Sequence, residues 1–223
     1  WSPILISMRT AGLSIVFTFF MGILAAWMVV RISHPLMKTI LDGIFTIPLV
    51  LPPTVAGFFL LLIFSTRRTV GSYLYTTFDI KIVQSWAGCV IAATVIAFPL
   101  MYRNARAAFE QVDVNLIYAG QTLGMSDRRI FWKVIVPAAA PGIASGTVLA
   151  FARAIGEYGA TSMLAGNILG KTRTVSVAIA AETSAGNYDI AGFWVVVIVV
   201  ISFVIVALIN IVSGRGMKSR RWI

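Results

Sequence analysis

Arg153 and Glu157 stand four residues apart in an otherwise apolar stretch, so on a helix they share one face and can pair. Ionisable groups in such surroundings are costly and usually face a cavity or a partner. Two readings stand side by side: the pair lines a route or gate for an anion, with Arg153 supplying positive charge, or it is a structural ion pair. A second pattern, AGNILGKT from Ala165 to Thr172, fits a loose phosphate loop with Ala in place of the first Gly. A phosphate loop joins a strand to a helix inside an α/β domain, where backbone N–H groups cradle the anion. This stretch follows an apolar helical segment instead, so it reads as an ordinary Gly-containing loop. The single cysteine, Cys89, has no partner in the chain, which excludes an intrachain disulfide or a Cys-based metal site. The sole histidine, His34, precedes Pro35 and reads as a solvated loop residue. No His, Asp and Glu cluster suggests a metal, and the acids are too scattered for a proton relay. The expectation is therefore a chain with no catalytic residues, no metal and no cofactor of its own.

The elements that must hold these residues are membrane helices. The chain has 223 residues, 59% hydrophobic and 12% charged, with a mean hydropathy of +0.91, whereas soluble domains carry about 25% charged residues. Five apolar stretches each approach the roughly 20 residues that cross a bilayer as a helix: Ala11–Val30, Ile44–Phe64, Val83–Tyr102, Gly142–Met163 and Gly192–Val212. Barrel strands would alternate polar and apolar residues, and VVVIVVISFVIVAL (Val195–Leu208) does not. The fold class is all-α: a polytopic helix bundle forming one transmembrane domain over residues 1–223. The first span exceeds the usual length of a signal-peptide core and lacks a basic run before it, so it reads as a retained span.

The net charge of +10 would suggest nucleic-acid binding in a soluble protein. Position explains it better here. With the N-terminus outside, the inner segments hold eleven basic residues (Arg31, Lys38, Arg103, Arg106, Arg128, Arg129, Lys133, Arg215, Lys218, Arg220, Arg221) and the outer ones six (Arg9, Arg67, Arg68, Lys81, Lys171, Arg173). That asymmetry favours N-out, C-in by the positive-inside rule and leaves no role for nucleic acid. The basic tail suits anionic lipid.

The inner polar segment Arg103–Pro137 reads as two short helices in a hairpin, about 115–133. Asn115–Leu123 stops at Gly124, because glycine accepts the left-handed conformation. Ser126 then suits an N-cap, Asp127 suits the positive end of the next helix, and Ile130, Phe131, Val134 and Ile135 share a face. Pro48, Pro52, Pro53, Pro99, Pro137 and Pro141 predict kinked or broken helices toward the inner side. Gly142, Gly146, Ala150 and Ala154 make a small-residue stripe that admits a close neighbour, in this chain or in a second copy.

The segment IYAGQTLGMSDRRIFWKVIVPAAAPGI (Ile117–Ile143) resembles the loop that marks permeases of type I ABC importers: Glu-Ala-Ala, three residues, Gly, nine residues, Ile-x-Leu-Pro. Ala119, Gly124 and Pro137 match, Val134 and Val136 replace aliphatic positions, and Tyr118 and Gly120 depart from Glu and Ala. The segments Leu41–Leu62, Phe98–Asp113 and Gly146–Asn167 resemble the molybdate permeases, in the branch that also holds sulfate and tungstate permeases. The resemblance implies a multi-pass permease of a bacterial or archaeal plasma or inner membrane that imports an oxyanion, molybdate first among the three. It implies a coupling element built on Tyr118, Ala119, Gly120, Gly124, Met125 and Ser126 that docks on a cytoplasmic ATP-binding subunit. It further implies two copies of that subunit, a second permease copy in a homodimer, and an external oxyanion-binding protein. A secondary transporter, the reading from another class, would be expected to show internal repeats and intramembrane carboxylates, and Glu157 is the only clear one.

Overall fold

A stripe of small and hydroxylated residues along the first helix sets how the protein is built. The computed structural model describes the backbone of residues 1–217 and the side chains of residues 1–207, and every regular element among them is helical. Helix α1 (Ser2–Val30) buries Ser7, Thr10, Ala11, Ser14, Thr18, Gly22, Ala25 and Ala26, spaced three or four apart, on one face. That face lies parallel on α5 (Trp86–Glu110), whose own buried face is rich in Ala92, Ala93, Ala97, Ala105 and Ala108. Lipid gives helices no hydrophobic reason to associate, so close backbone approach and hydrogen bonds must hold the pair. Ser14 Oγ donates to the Val90 carbonyl and Trp86 Nε1 donates to Thr10 Oγ1. A Cβ on Gly22 would stand 2.6 Å from Met101 Cγ, so only glycine fits there.

Between them come α2 (Pro35–Val50), α3 (Pro53–Phe64) and α4 (Thr69–Phe78). After α5 follow α6 (Val114–Thr122), α7 (Asp127–Ile130), a π-helical turn (Phe131–Ile135), α8 (Val136–Ile155), α9 (Gly159–Leu164), α10 (Val175–Ser184) and α11 (Tyr188–Met217). Four runs are long and apolar enough to cross a bilayer: Ser2–Val30, Trp86–Glu110, Asp127–Ile155 and Tyr188–Ala207. The α2–α3 pair makes a fifth if its two arms count as one span. The small-residue stripe of α8 meets α5 of the same chain: a Cβ on Gly142 would lie 2.6 Å from Ala108 Cβ, and one on Gly146 2.6 Å from Asn104 Cβ.

The second span breaks where its prolines predict, α2 and α3 meeting at 110° across Leu51 and Pro52. The structure corrects three other expectations. The fourth span does not run to Met163: it stops at Ile155, and α9 starts afresh at Gly159. The second arm of the hairpin is no separate helix, since α7, the π turn and α8 form one run, Asp127–Ile155. The π turn explains how: Val136 N–H reaches back five residues to the Phe131 carbonyl, and this widening just ahead of Pro137 lets the helix continue past it. Finally, Pro99 and Pro141 sit inside unbroken helices.

Contacts sort the charges by end. Arg31 stacks on Trp27, which packs against Phe109 and Phe131. Lys38 pairs with Glu110 at 3.0 Å, and Arg106 bridges Asp42 and Glu110. Tyr102 also donates to Asp42 at 2.9 Å, so a polar cluster clamps the start of α2, which has no buried residue, to the basic end of α5. At the opposite end Arg9 and Lys171 line one recess with Trp86. Lys218, Arg220 and Arg221 lie outside the described residues, as does the side chain of Arg215.

Candidate functional site

Two broken helices meet inside the bundle, and each break has a local cause. Pro53 starts α3 with a residue that has no N–H to satisfy, and the Pro52 carbonyl takes the N–H groups of Val55 and Ala56. The second break has no proline. Gly156 ends α8, and the Glu157 carboxylate then restarts the chain: its Oε1 accepts the Ala160 N–H at 2.7 Å, capping α9. The breaks pack on one another through glycines. A Cβ on Gly159 would be 2.9 Å from Pro53 Cβ and 3.1 Å from the Thr54 nitrogen, and one on Gly57 would be 2.6 Å from Ala160 Cα.

Arg153 and Glu157 do pair at this crossing, at 2.7 Å between Nη1 and Oε2. The contact is electrostatic rather than a directed hydrogen bond, since Oε2 has no hydrogen-bond partner. The two ends differ in access. The Glu157 side chain is 1% exposed and the Arg153 side chain 30%. Glu157 is thus committed to the cap and the pair, while Arg153 stays partly exposed. Glu157→Ala, which strips the cap and leaves the guanidinium unpaired, is expected to cost about 2–3 kcal/mol. Glu157→Gln keeps an acceptor for Ala160 and should cost less. Exchanging the two charges should not restore stability, because arginine at position 157 has donors only. Thermal unfolding of the three variants checks this, and a rescued exchange would show that pairing alone matters.

The hairpin forms a separate surface. Asp113 caps α6, its carboxylate accepting the Asn115 N–H at 2.9 Å. Gly124 has φ +71°, the left-handed conformation its type predicts. Gly124 N–H donates to the Gln121 carbonyl and Met125 N–H to the Gly120 carbonyl, the pattern that closes a helix with a left-handed residue. Ser126 holds the N-cap position by its backbone, without a side-chain bond. Gly120 is buried, and a Cβ there would press on Ile130 at 3.1 Å. Tyr118, Ala119, Gly124 and Ser126 are exposed or half-buried and Met125 is also within reach of the surface, so five of the six expected coupling residues are accessible. Leu123, the last residue before the turn glycine, is 80% exposed at the apex. A large aliphatic residue directly before a helix-ending glycine was the available signal. The other arm behaves as expected, with Ile130 and Ile135 buried and Phe131 and Val134 half-buried.

The remaining singled-out residues are structural. In the Ala165–Thr172 loop the N–H groups of Lys171, Thr172 and Arg173 all turn to the Ile168 carbonyl, leaving none of the three for a phosphate. The buried Cys89 thiol faces the Thr172 carbonyl. His34 is exposed at the N-cap of α2. No group of three potential metal ligands occurs among the described residues.

Comparison with known proteins places this geometry. The family model described as the binding-protein-dependent transport system inner membrane component matches residues 18–214. The molybdenum transport system permease protein ModB of Escherichia coli (strain K12) is 45% identical over 179 residues, covering 80% of this chain and 78% of that protein. The sulfate transport system permease protein CysT of Salmonella typhimurium is 31% identical over 210 residues, covering 94% and 75%. Among solved structures, the MetNI methionine ABC transporter in an inward-facing conformation aligns with a TM-score of 0.72 at 16% identity, over 98% of this chain and 95% of that one. That likeness speaks to the fold alone.

Proposed function

The chain belongs to the binding-protein-dependent transport system inner membrane component family, and on that premise we propose that it carries molybdate inward as one of two permease copies. It is a multi-pass inner-membrane permease subunit of an ABC importer, without catalysis of its own, and it works with an ATPase and a binding protein. The proposal adds the anion, a homodimeric permease, two ATPase copies, an external oxyanion-binding protein and one transmembrane domain spanning residues 1–223. Its main support is the greater likeness to a molybdenum permease than to a sulfate permease. Uptake of radiolabelled molybdate in cells expressing the full system, with tungstate and sulfate as competitors, tests it. Molybdate transport that excess sulfate does not suppress is expected; efficient sulfate uptake would replace the anion.

The hairpin apex, with Tyr118, Ala119, Leu123, Gly124, Met125 and Ser126, is the face that docks on the ATPase, and Gly120 sets its seat on Ile130. An ATP-driven change must reach the membrane through a stiff element. The run Asp127–Ile155 supplies one, leading from the apex to the crossing of the broken helices without interruption.

At that crossing Arg153 borders the route and Glu157 holds it in place. A fixed positive charge there favours a passing anion over a cation. Arg153→Ala should lower uptake severalfold while the complex still assembles, and Arg153→Lys should retain part of it. Uptake per assembled complex is the measurement; unchanged uptake in Arg153→Ala would reduce the pair to a structural one.

A further inference from the structure

We infer that the basic end of the α1–α8 seam is a binding site for one anionic phospholipid of the cytoplasmic leaflet. Two recesses there share a wall. An apolar groove of about 800 Å³ runs between α1 and α8, with Phe20, Leu24, Trp132, Ala140, Ala144 and Thr147 among its lining. A second recess of about 510 Å³ lies at its mouth, lined by Trp27, Arg31, Ile117, Asp127, Arg128 and their neighbours. Trp27 and Phe131 line both and pack at 4.3 Å between ring centroids.

The chemistry changes where they join. In the groove, Thr147 carries the side-chain hydroxyl, which is already bonded to the Ile143 carbonyl. In the mouth, Arg31 lies 5.4 Å over the Trp27 ring, and neither Arg31 nor Arg128 has an ion-pair partner among the described residues. Asp127 is the one acid lining it, against two arginines, with Arg129 and Lys133 exposed on the same turns. Trp27 stands three residues before the end of α1, the depth at which tryptophan marks the headgroup layer. From Trp27 back to Phe19 the groove follows α1 for about 12 Å into the hydrocarbon. An apolar slot with an unpaired cationic mouth at headgroup depth complements one class of molecule: an acyl chain below a phosphate.

The π turn builds this shape. It lies at the bend of the wall, placing Phe131 half-buried against Trp27 and leaving Trp132 62% exposed over the groove. The mouth lies at the root of the hairpin, on the side where Ile117 and Ile130 are covered, not at the exposed apex that docks the ATPase.

The assembled permease–ATPase complex, stripped of lipid and offered equal palmitoyl-oleoyl phosphatidylglycerol and phosphatidylcholine, gives the test by native mass spectrometry. Phosphatidylglycerol should be retained preferentially. Arg31→Gln and Arg128→Gln should each reduce that preference about fivefold, and Ala144→Trp should lower retention of both lipids by filling the groove. Quenching of Trp132 fluorescence by brominated phosphatidylglycerol, referenced to Trp132→Phe, reads the same site in protein that carries no groove-filling change. Equal retention of the two lipids, no loss in the arginine variants, or absence of quenching would each overturn the site. Displacement by soluble glycerol phosphate alone would show an anion pocket without a chain. Protection of the groove by a second permease copy, seen as a cross-link through cysteines placed at Leu24, would assign it to an interface instead.

Discussion

Gly124→Val is expected to reach the membrane in near-normal amount and to lose uptake. The residue ends α6 at φ +71°, and a side chain there would have open space around it, with nothing within 4 Å of its Cβ position. The cost is therefore in the backbone and not in packing. An L residue in the left-handed region pays about 1–2 kcal/mol, a five- to thirtyfold loss of hairpins in the docking shape, and a β-branched one pays more. The bonds at stake are those of Gly124 to Gln121 and Met125 to Gly120. Bundle stability should hardly change, because the hairpin apex carries little of the core. The failure should appear as poor retention of the ATPase subunit or as hydrolysis without transport. Gly124→Asn separates the causes, since asparagine tolerates the left-handed region but adds bulk to the docking face. Recovery of uptake in Gly124→Asn assigns the defect to backbone geometry; a loss as deep as that of valine assigns it to the added bulk. Tyr118→Glu, at an exposed position, should be tolerated. Normal uptake by Gly124→Val would remove the hairpin from the coupling role.

Gly57→Leu should disrupt the crossing of the broken helices and with it the assembled complex. Here the cost is packing. The new Cβ would stand 2.6 Å from Ala160 Cα and 2.9 Å from Met163 Cβ, and a backbone atom cannot swing aside as a flexible side chain can. Overpacking of this kind costs about 1–3 kcal/mol, and relief requires α3 and α9 to separate. Gly57→Ala already carries the offending Cβ and should show a smaller fall in thermal midpoint than leucine. Gly43→Ala is the control: nothing lies within 4 Å of its Cβ position on α2, and alanine is the better helix former. Detergent-resistant complex yield and thermal midpoint measure the series. A Gly57→Leu complex as stable as the Gly43→Ala one would mean that the two breaks do not bear on each other in the membrane.

Helix class, four of the five expected spans and the hairpin turn were all determined by sequence, because each rests on local physics. About twenty apolar residues must become a helix in lipid whatever their neighbours, and the Leu-Gly-Met-Ser run at 123–126 closes one helix and opens another through a conformation that glycine alone adopts freely. The Arg153–Glu157 pairing was legible for the same reason, being a spacing within one helical face. What the sequence could not contain is what depends on a partner surface. Six prolines marked sites where helices could break, yet the chain breaks at Pro52 and at the proline-free Gly156, and runs through Pro99 and Pro141. A proline's lost hydrogen bond can be offset by packing, and Pro99 is buried in the core, whereas a break needs something to receive the freed backbone groups. Glu157 receives one, and only the tertiary structure shows that its carboxylate turns toward Ala160 as well as toward Arg153. Likewise the stripe Gly142, Gly146, Ala150, Ala154 announced a close neighbour without naming it, since a small residue permits approach from any helix. The choice of α5 follows from complementary small faces on α1, α5 and α8, a three-body fit that no single stretch of sequence encodes.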